Sequence, residues 1–180
     1  MALTPIRRVV TGNDERGRSR VVWDGPAPGT HETSFKGRGH TDFWVWRETP
    51  LPLDGAEDTG TWPDEFPGPV GGGHLRVVHW LAKTNESPPN EPYKAPEQHG
   101  RTWDRGGGNH YNRSYMHKTK SVDYGILLAG ERVLVLDSGE IAMKPGDVVV
   151  QLGNWHGWTN PRAGSLMAFV MMGAKFEDKR

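Results

Sequence analysis

The segment MHKTKSVDYG, residues 116–125, sets His117, Thr119 and Asp123 at even steps, and the later segment WHGWTN does the same with His156, Trp158 and Asn160. Along an extended strand, residues two apart point to one face, so each set should project to a single side. If the strands curl into a barrel with those sides inward, two imidazoles and a carboxylate converge in an enclosed space, where polar groups left unpaired cost several kcal/mol. Burial would demand a partner. Two histidines and one carboxylate on a divalent ion, with positions left open, form the arrangement of non-haem iron chemistry, in which substrate or oxygen takes the vacant sites. His117, Asp123 and His156 are therefore the candidate metal ligands, and iron, manganese, nickel or zinc the candidate ions. The alternative is a hydrogen-bonded polar cluster of the same three side chains with no ion.

Three further residues are candidate substrate contacts. Thr119 is too weak a ligand to replace an imidazole, but it can donate a hydrogen bond to a bound water or substrate, or fill space. Trp158 shares the inward parity of His156 and offers a rigid wall to an apolar or aromatic ligand, although core packing would place it there equally well. Gln151 falls on the same side as Val149 and can meet a ligand. His74 and His79 stand at opposite parities on one strand, so at most one faces the interior, and both read as structural. His99 and His110 lie in a long irregular tract and would matter only if that tract closed over the site. Tyr124 should point outward, into packing.

Short strands must position these residues. RRVV and SRVVW bracket GNDERG, whose glycines and Asn-Asp pair favour a hairpin turn, and DFWVWR reads as a third strand. Residues 48–73 carry six carboxylates and no lysine or arginine, and read as a solvated loop. HLRVVHW reads as a strand. The tract over residues 82–113 is polar and rich in proline and glycine, and is expected to be a lid, an arm on a neighbouring subunit or a disordered segment. From Ser114 onward, short apolar runs separated by glycine-bearing turns argue for an antiparallel sandwich or barrel. One domain is expected over residues 1–180, with N-terminal strands and the acidic loop in 1–81 and a barrel core in 114–175.

Composition narrows the function. The 22 basic and 22 acidic side chains cancel, which removes the electrostatic footprint of a nucleic-acid binder and favours a small-molecule partner. Cysteine is absent, so disulfides, zinc thiolates and cysteine nucleophiles are excluded, and any metal must take nitrogen and oxygen ligands. The 24 glycines and 14 prolines argue against long helices. No stretch reaches the length of a membrane helix and the opening MALTPIRRVV does not read as a secretory signal, so a cytoplasmic location is expected. Serine-hydrolase, P-loop and zincin motifs are missing.

The stretch from Ser114 to Asn160 resembles the two motif segments of the cupin superfamily, small all-β barrels of the jelly-roll type. In the usual first motif a histidine, a second histidine two residues on and a glutamate four positions later precede six residues and a glycine. Here His117, Thr119, Asp123 and Gly130 take those places. In the second motif Pro145, Gly146 and Asp147 lead into a strand followed by Gly153, His156 and Asn160. The blocks RRVVTGNDERG, DGPAP, MHKTKSVDYGILLAGE and PGDVVVQLGNWHGWTN resemble a poorly characterised group of bacterial and fungal single-domain cupins. The resemblance implies a cupin jelly roll with N-terminal strands extending the sheet. The candidate ligands His117, Asp123 and His156 support a metal-dependent enzyme for a small organic substrate (oxygenation, decarboxylation, or isomerisation or lyase chemistry), or else a non-catalytic binding barrel without metal. The apolar VVWDG and DFWVW runs call for cover that a homodimer would supply.

Overall fold

The computed structural model describes residues 3–33, 37–53, 57–80, 103–105, 116–159 and 164–176. Its strands are β1 (Arg7–Asn13), β2 (Ser19–Pro26), β3 (Gly29–Glu32), β4 (Arg38–Trp46), β5 (Gly73–Trp80), β6 (Trp103–Arg105), β7 (His117–Thr119), β8 (Ser121–Gly130), β9 (Arg132–Leu136), β10 (Gly139–Met143), β11 (Val148–Leu152), β12 (Gly157–Thr159) and β13 (Ser165–Gly173). A single 3-10 turn at Thr59–Thr61 is the sole helical element among the described residues. No helix there is long and apolar enough to cross a membrane.

The strands form an all-β jelly roll. A six-stranded antiparallel sheet in the order β11-β8-β13-β5-β4-β3 faces a three-stranded sheet, β10-β9-β12, with the pairs β1-β2 and β6-β7 beside them. N-terminal β3, β4 and β5 lie in the same sheet as β8 and β13 and extend it as expected, whereas β1 and β2 pair only with each other. Strand β3 was not expected from the sequence, and DFWVW is the end of β4.

Alternation sets the two faces. On β8, Ser121, Asp123, Gly125 and Leu127 are buried while Tyr124, Ile126 and Leu128 are exposed, and on β13 Ser165, Met167, Phe169 and Met171 are buried. The inward residues assemble Leu127, Leu134, Met143, Met167, Phe169 and Met171 into one core, on which Val78, Leu136, Val149 and Trp158 pack. Burying each such side chain is worth about 1.5–3 kcal/mol, and this core is the rigid floor of the site.

Two motif glycines have physical reasons. Gly130 (φ 78°) ends β8 in a left-handed conformation, and a Cβ there would collide with the carbonyl of Gly164. Gly153 (φ 67°) makes the turn that delivers His156, and a Cβ would come 3.0 Å from the Thr119 carbonyl.

The structure revises two expectations. The acidic segment is fastened to the barrel: Asp58 holds Arg8 with both oxygens, and Asp64 bonds Arg76 and His40. The expected excess of apolar surface is only partly on the N-terminal strands: in DFWVW Val45 is buried and Trp44 and Trp46 are half-buried, whereas Val9 of β1 and Val21 of β2 stand exposed, and so do Val148, Val150 and Leu152 of β11 beside Ile126 and Tyr124 of β8. The tract 82–113, with His99 and His110, lies outside the described residues except for the backbone of β6, as does Asn160.

Candidate functional site

Residues 116–125 do not form one strand. A bend at Lys120 separates β7 from β8, and β7 leaves the six-stranded sheet to pair with β6. His117 then meets His156 in an isolated antiparallel bridge, with reciprocal backbone hydrogen bonds of 2.8 and 2.9 Å. This clip brings the two imidazoles together, their ring centroids 4.3 Å apart and tilted by 58°.

Both rings line a cavity of about 320 Å³ between the sheets, together with Asp123, Gln151 and Trp158. The volume falls in the range of small-molecule sites. The remaining wall comes from His40, Asp64, Phe66, Arg76, Arg132 and the apolar core. Trp158 packs edge-on between His156, at 6.1 Å, and Phe169, at 5.7 Å.

The tautomer of His156 follows from its surroundings. Its Nδ1 lies 3.0 Å from the carbonyl of Asn154, which can only accept, so Nδ1 carries the proton. Burial, helped by the neighbouring His117, pushes its pKa down to about 3, which keeps the ring neutral and leaves Nε2 with a lone pair. A carbonyl-held imidazole of this kind is a metal ligand in waiting.

Asp123 lies directly across from Gln151 on β11 and Met171 on β13. Burial raises its pKa to about 6, against the opposing hydroxyls of Ser121 and Thr119. Thr119 donates weakly to Asp123 Oδ2, at 3.4 Å, and accepts from Ser121 at 2.8 Å. The other carboxylate oxygen, Oδ1, is buried without a hydrogen-bond partner. Thr119 thus stands behind the carboxylate and is not part of the cavity wall.

The residues present fit a divalent ion in part. Two adjacent imidazoles and an orphaned carboxylate oxygen share one wall, but Asp123 does not close up with the two rings. Among the described residues, the trio whose ligand atoms all lie within 4.8 Å of one another is His31, His40 and Asp42. Two of its members are already engaged: Asp42 accepts from Arg76 Nε at 2.6 Å and Nη2 at 2.9 Å, and His40 Nε2 bonds Asp64 Oδ1 at 2.9 Å, while His31 Nε2 is buried without a hydrogen-bond partner. A guanidinium on the carboxylate opposes a second cation there, so the cluster reads as part of an ion-pair network, of which His40, Asp64 and Arg76 line the cavity. Within it Asp64 is held well below the ordinary carboxylate range by its hydrogen bond to His40 and by Arg76.

His74 and His79 are both buried, on opposite faces of β5. His79 Nε2 bonds the Thr41 hydroxyl at 3.0 Å, while burial pushes His74 down to about 2. Neither lines the cavity, as befits structural histidines.

Sequence reasoning passed over Arg132 and Arg76. A signal existed for both: Arg132 shares parity with Leu134 and Leu136 on β9, and Arg76 with Val78 on β5, so each is a lone cation on the inward side of an apolar strand. No comparable signal marks Asp64 or Phe66, which sit in an irregular segment.

No protein-family model matches the chain. Phomopsin biosynthesis cluster protein C' of Diaporthe leptostromiformis is 52% identical over 65 residues, a match that spans 34% of this chain and 34% of that relative. The cupin-domain-containing oxidoreductase fogC of Aspergillus ruber is 28% identical over 178 residues, covering 94% of this chain and 73% of its own length. Among solved structures, the cupin domain of Schizosaccharomyces pombe Cnp3 aligns over 93% of this chain and 83% of its own, at 12% identity and a TM-score of 0.43. Both motif segments are seated in a jelly roll, and over 94% of its length the chain is similar to a cupin-domain-containing oxidoreductase.

Proposed function

We propose that the chain is a metal-dependent cupin enzyme, an oxidoreductase acting on a small organic substrate held in the central cavity. One observation carries the reading: the paired rings of His117 and His156, 4.3 Å apart on the cavity wall. His156 offers Nε2, His117 the second nitrogen, and Asp123 the carboxylate through its unpartnered Oδ1. A bound divalent iron, manganese, nickel or zinc ion would supply Lewis acidity and, if redox-active, an electron-transfer centre. The chain's own part is to orient the rings through the Asn154 carbonyl, to hold a carboxylate beside them, and to exclude water with Phe66, Trp158, Phe169 and Met171. The relative fogC is named an oxidoreductase, which favours redox chemistry over decarboxylation or lyase chemistry.

A metal-free binding barrel is the second reading, and the separation of Asp123 from the imidazole pair favours it. The two are told apart by metal analysis of protein purified without a polyhistidine tag. The enzyme reading expects at least about half an equivalent of one of these ions in the parent, lost on His117→Ala and His156→Ala. A parent without metal that shows no thermal shift with any of the four ions would overturn it.

The reading includes a homodimer in which a second copy covers the outer face of β11 and β8. Val148, Val150 and Leu152 pair across to Ile126, Tyr124 and Val122, giving a continuous apolar strip of a kind monomers seldom expose.

A further inference from the structure

Two arginines line the cavity, and their circumstances differ. Arg76 is neutralised by Asp42 and Asp64 and also donates to the Glu65 carbonyl. Arg132 is 3% exposed, yet its Nε and Nη2 are buried with no hydrogen-bond partner, and among the described residues no carboxylate pairs with it. Its guanidinium lies 4.7 Å from the centroid of the Trp80 ring, which a second guanidinium, that of Arg38, contacts at 3.8 Å. Burial and this like charge push Arg132 down to about 9, so it still carries its proton at neutral pH. A desolvated cation with an open donor edge is costly unless an anion completes it. Nε and Nη2 form one edge of the planar fork, whose two parallel donors match the two oxygens of a carboxylate.

Gln151 repeats the pattern without charge. It is 2% exposed and lines the same cavity from the opposite sheet, and both its amide nitrogen and its oxygen lack partners. Such an amide can give and take a hydrogen bond, which suits a hydroxyl or carbonyl. Gln151 lies directly across the ladder from Asp123, whereas Arg132 opens β9 in the three-stranded sheet. The same cavity is also lined by Val78, Trp158, Phe169 and Met171, an apolar and aromatic surface.

The geometry points to a substrate that is a small carboxylic acid with an apolar or aromatic body: its carboxylate docks on the Nε/Nη2 edge of Arg132, and a neutral hydroxyl or carbonyl at its far end meets Gln151 beside the His117–His156 pair. Arg132 is thus the residue that selects for the acid, and Gln151 the one that sets which end faces the imidazoles. This deepens the enzyme reading above, but the anchor itself needs no metal.

The test uses the full chain treated with a chelator, so that the anchor is judged apart from the metal. Calorimetric titrations with benzoate, benzamide and 4-hydroxybenzoate serve as probes. Benzoate should bind more tightly than benzamide, and 4-hydroxybenzoate more tightly than benzoate. Arg132→Met should weaken benzoate by roughly tenfold to a hundredfold and benzamide little. Arg132→Lys should recover part of that loss. Gln151→Leu should erase the preference for 4-hydroxybenzoate. The melting temperature of ligand-free Arg132→Met should equal or exceed the parent's, because the change removes a buried unpaired charge, whereas a structural arginine would lower it. The inference is overturned if the parent binds benzamide as well as benzoate, if Arg132→Met keeps benzoate affinity, or if that variant is markedly destabilised when ligand-free. Failure of the metal reading would appear in the metal content and leave these titrations unchanged.

Discussion

His117 and His156 face each other across an isolated strand bridge, with backbone hydrogen bonds in both directions and ring centroids 4.3 Å apart. The bridge fixes both backbones at the point where their side chains enter the cavity, so a ligand shared by the two rings meets a preformed pair.

Metal should therefore stabilise the folded chain. An ion present at about a hundred times its dissociation constant adds roughly 2.7 kcal/mol, and a thermal-shift titration with the four candidate ions reads this directly. His156→Ala should abolish the shift. His74→Gln should retain it, since His74 is equally buried but does not line the cavity.

Asp123 should impose a pH signature on the metal-free protein. Its pKa is raised from the ordinary 3.8 to about 6 by burial, so its stabilising contribution is full below pH 3.8 and is lost as the pH rises through 6. Asp123→Asn should be the more stable form at pH 8, by roughly 3 kcal/mol, and should match the parent near pH 4. Urea unfolding at the two pH values, with chelator present, checks the sign.

The acidic segment should prove structural where it meets the barrel. Arg8 is buried and both Asp58 oxygens accept from its guanidinium, while Asp58 Oδ1 also accepts from the Gly60 backbone. Asp58→Ala strands the arginine and should cost about 3 kcal/mol, measured by urea unfolding. Arg7→Ala, which breaks an exposed pair with Asp24, should cost under about 1 kcal/mol.

Sedimentation should report a dimer that comes apart when the β11 strip is charged. Val150→Lys with Leu152→Glu places polar groups at two positions exposed by 53% and 71%, so the fold should survive while association is lost. A parent that sediments as a monomer at micromolar concentration would remove the dimer from the reading.

Much of the architecture was open to inspection in the one-dimensional chain, because alternation and turn chemistry are local. The period of two in SVDYGILLAG and SLMAFVMMG assigns faces without knowledge of neighbours, and Gly130 and Gly153 mark turns that other residues could enter only under strain. The same local rule put His117, Asp123, Gln151, His156 and Trp158 on inward faces, and all five line the cavity.

What alternation cannot supply is the partner across the gap, which depends on register and sheet packing over long separations. Only the tertiary structure bends the chain at Lys120, sets Thr119 behind the carboxylate and leaves Asp123 apart from the imidazole pair. Only there does Asp58 find Arg8, 50 residues away in sequence, so that an acidic run that looked solvated is fastened to the barrel. Arg132 makes the same point from the other direction: its inward parity was written in RVLVL, but whether an inward cation is paired or open is a property of the space around it, and that space exists only once two sheets have closed.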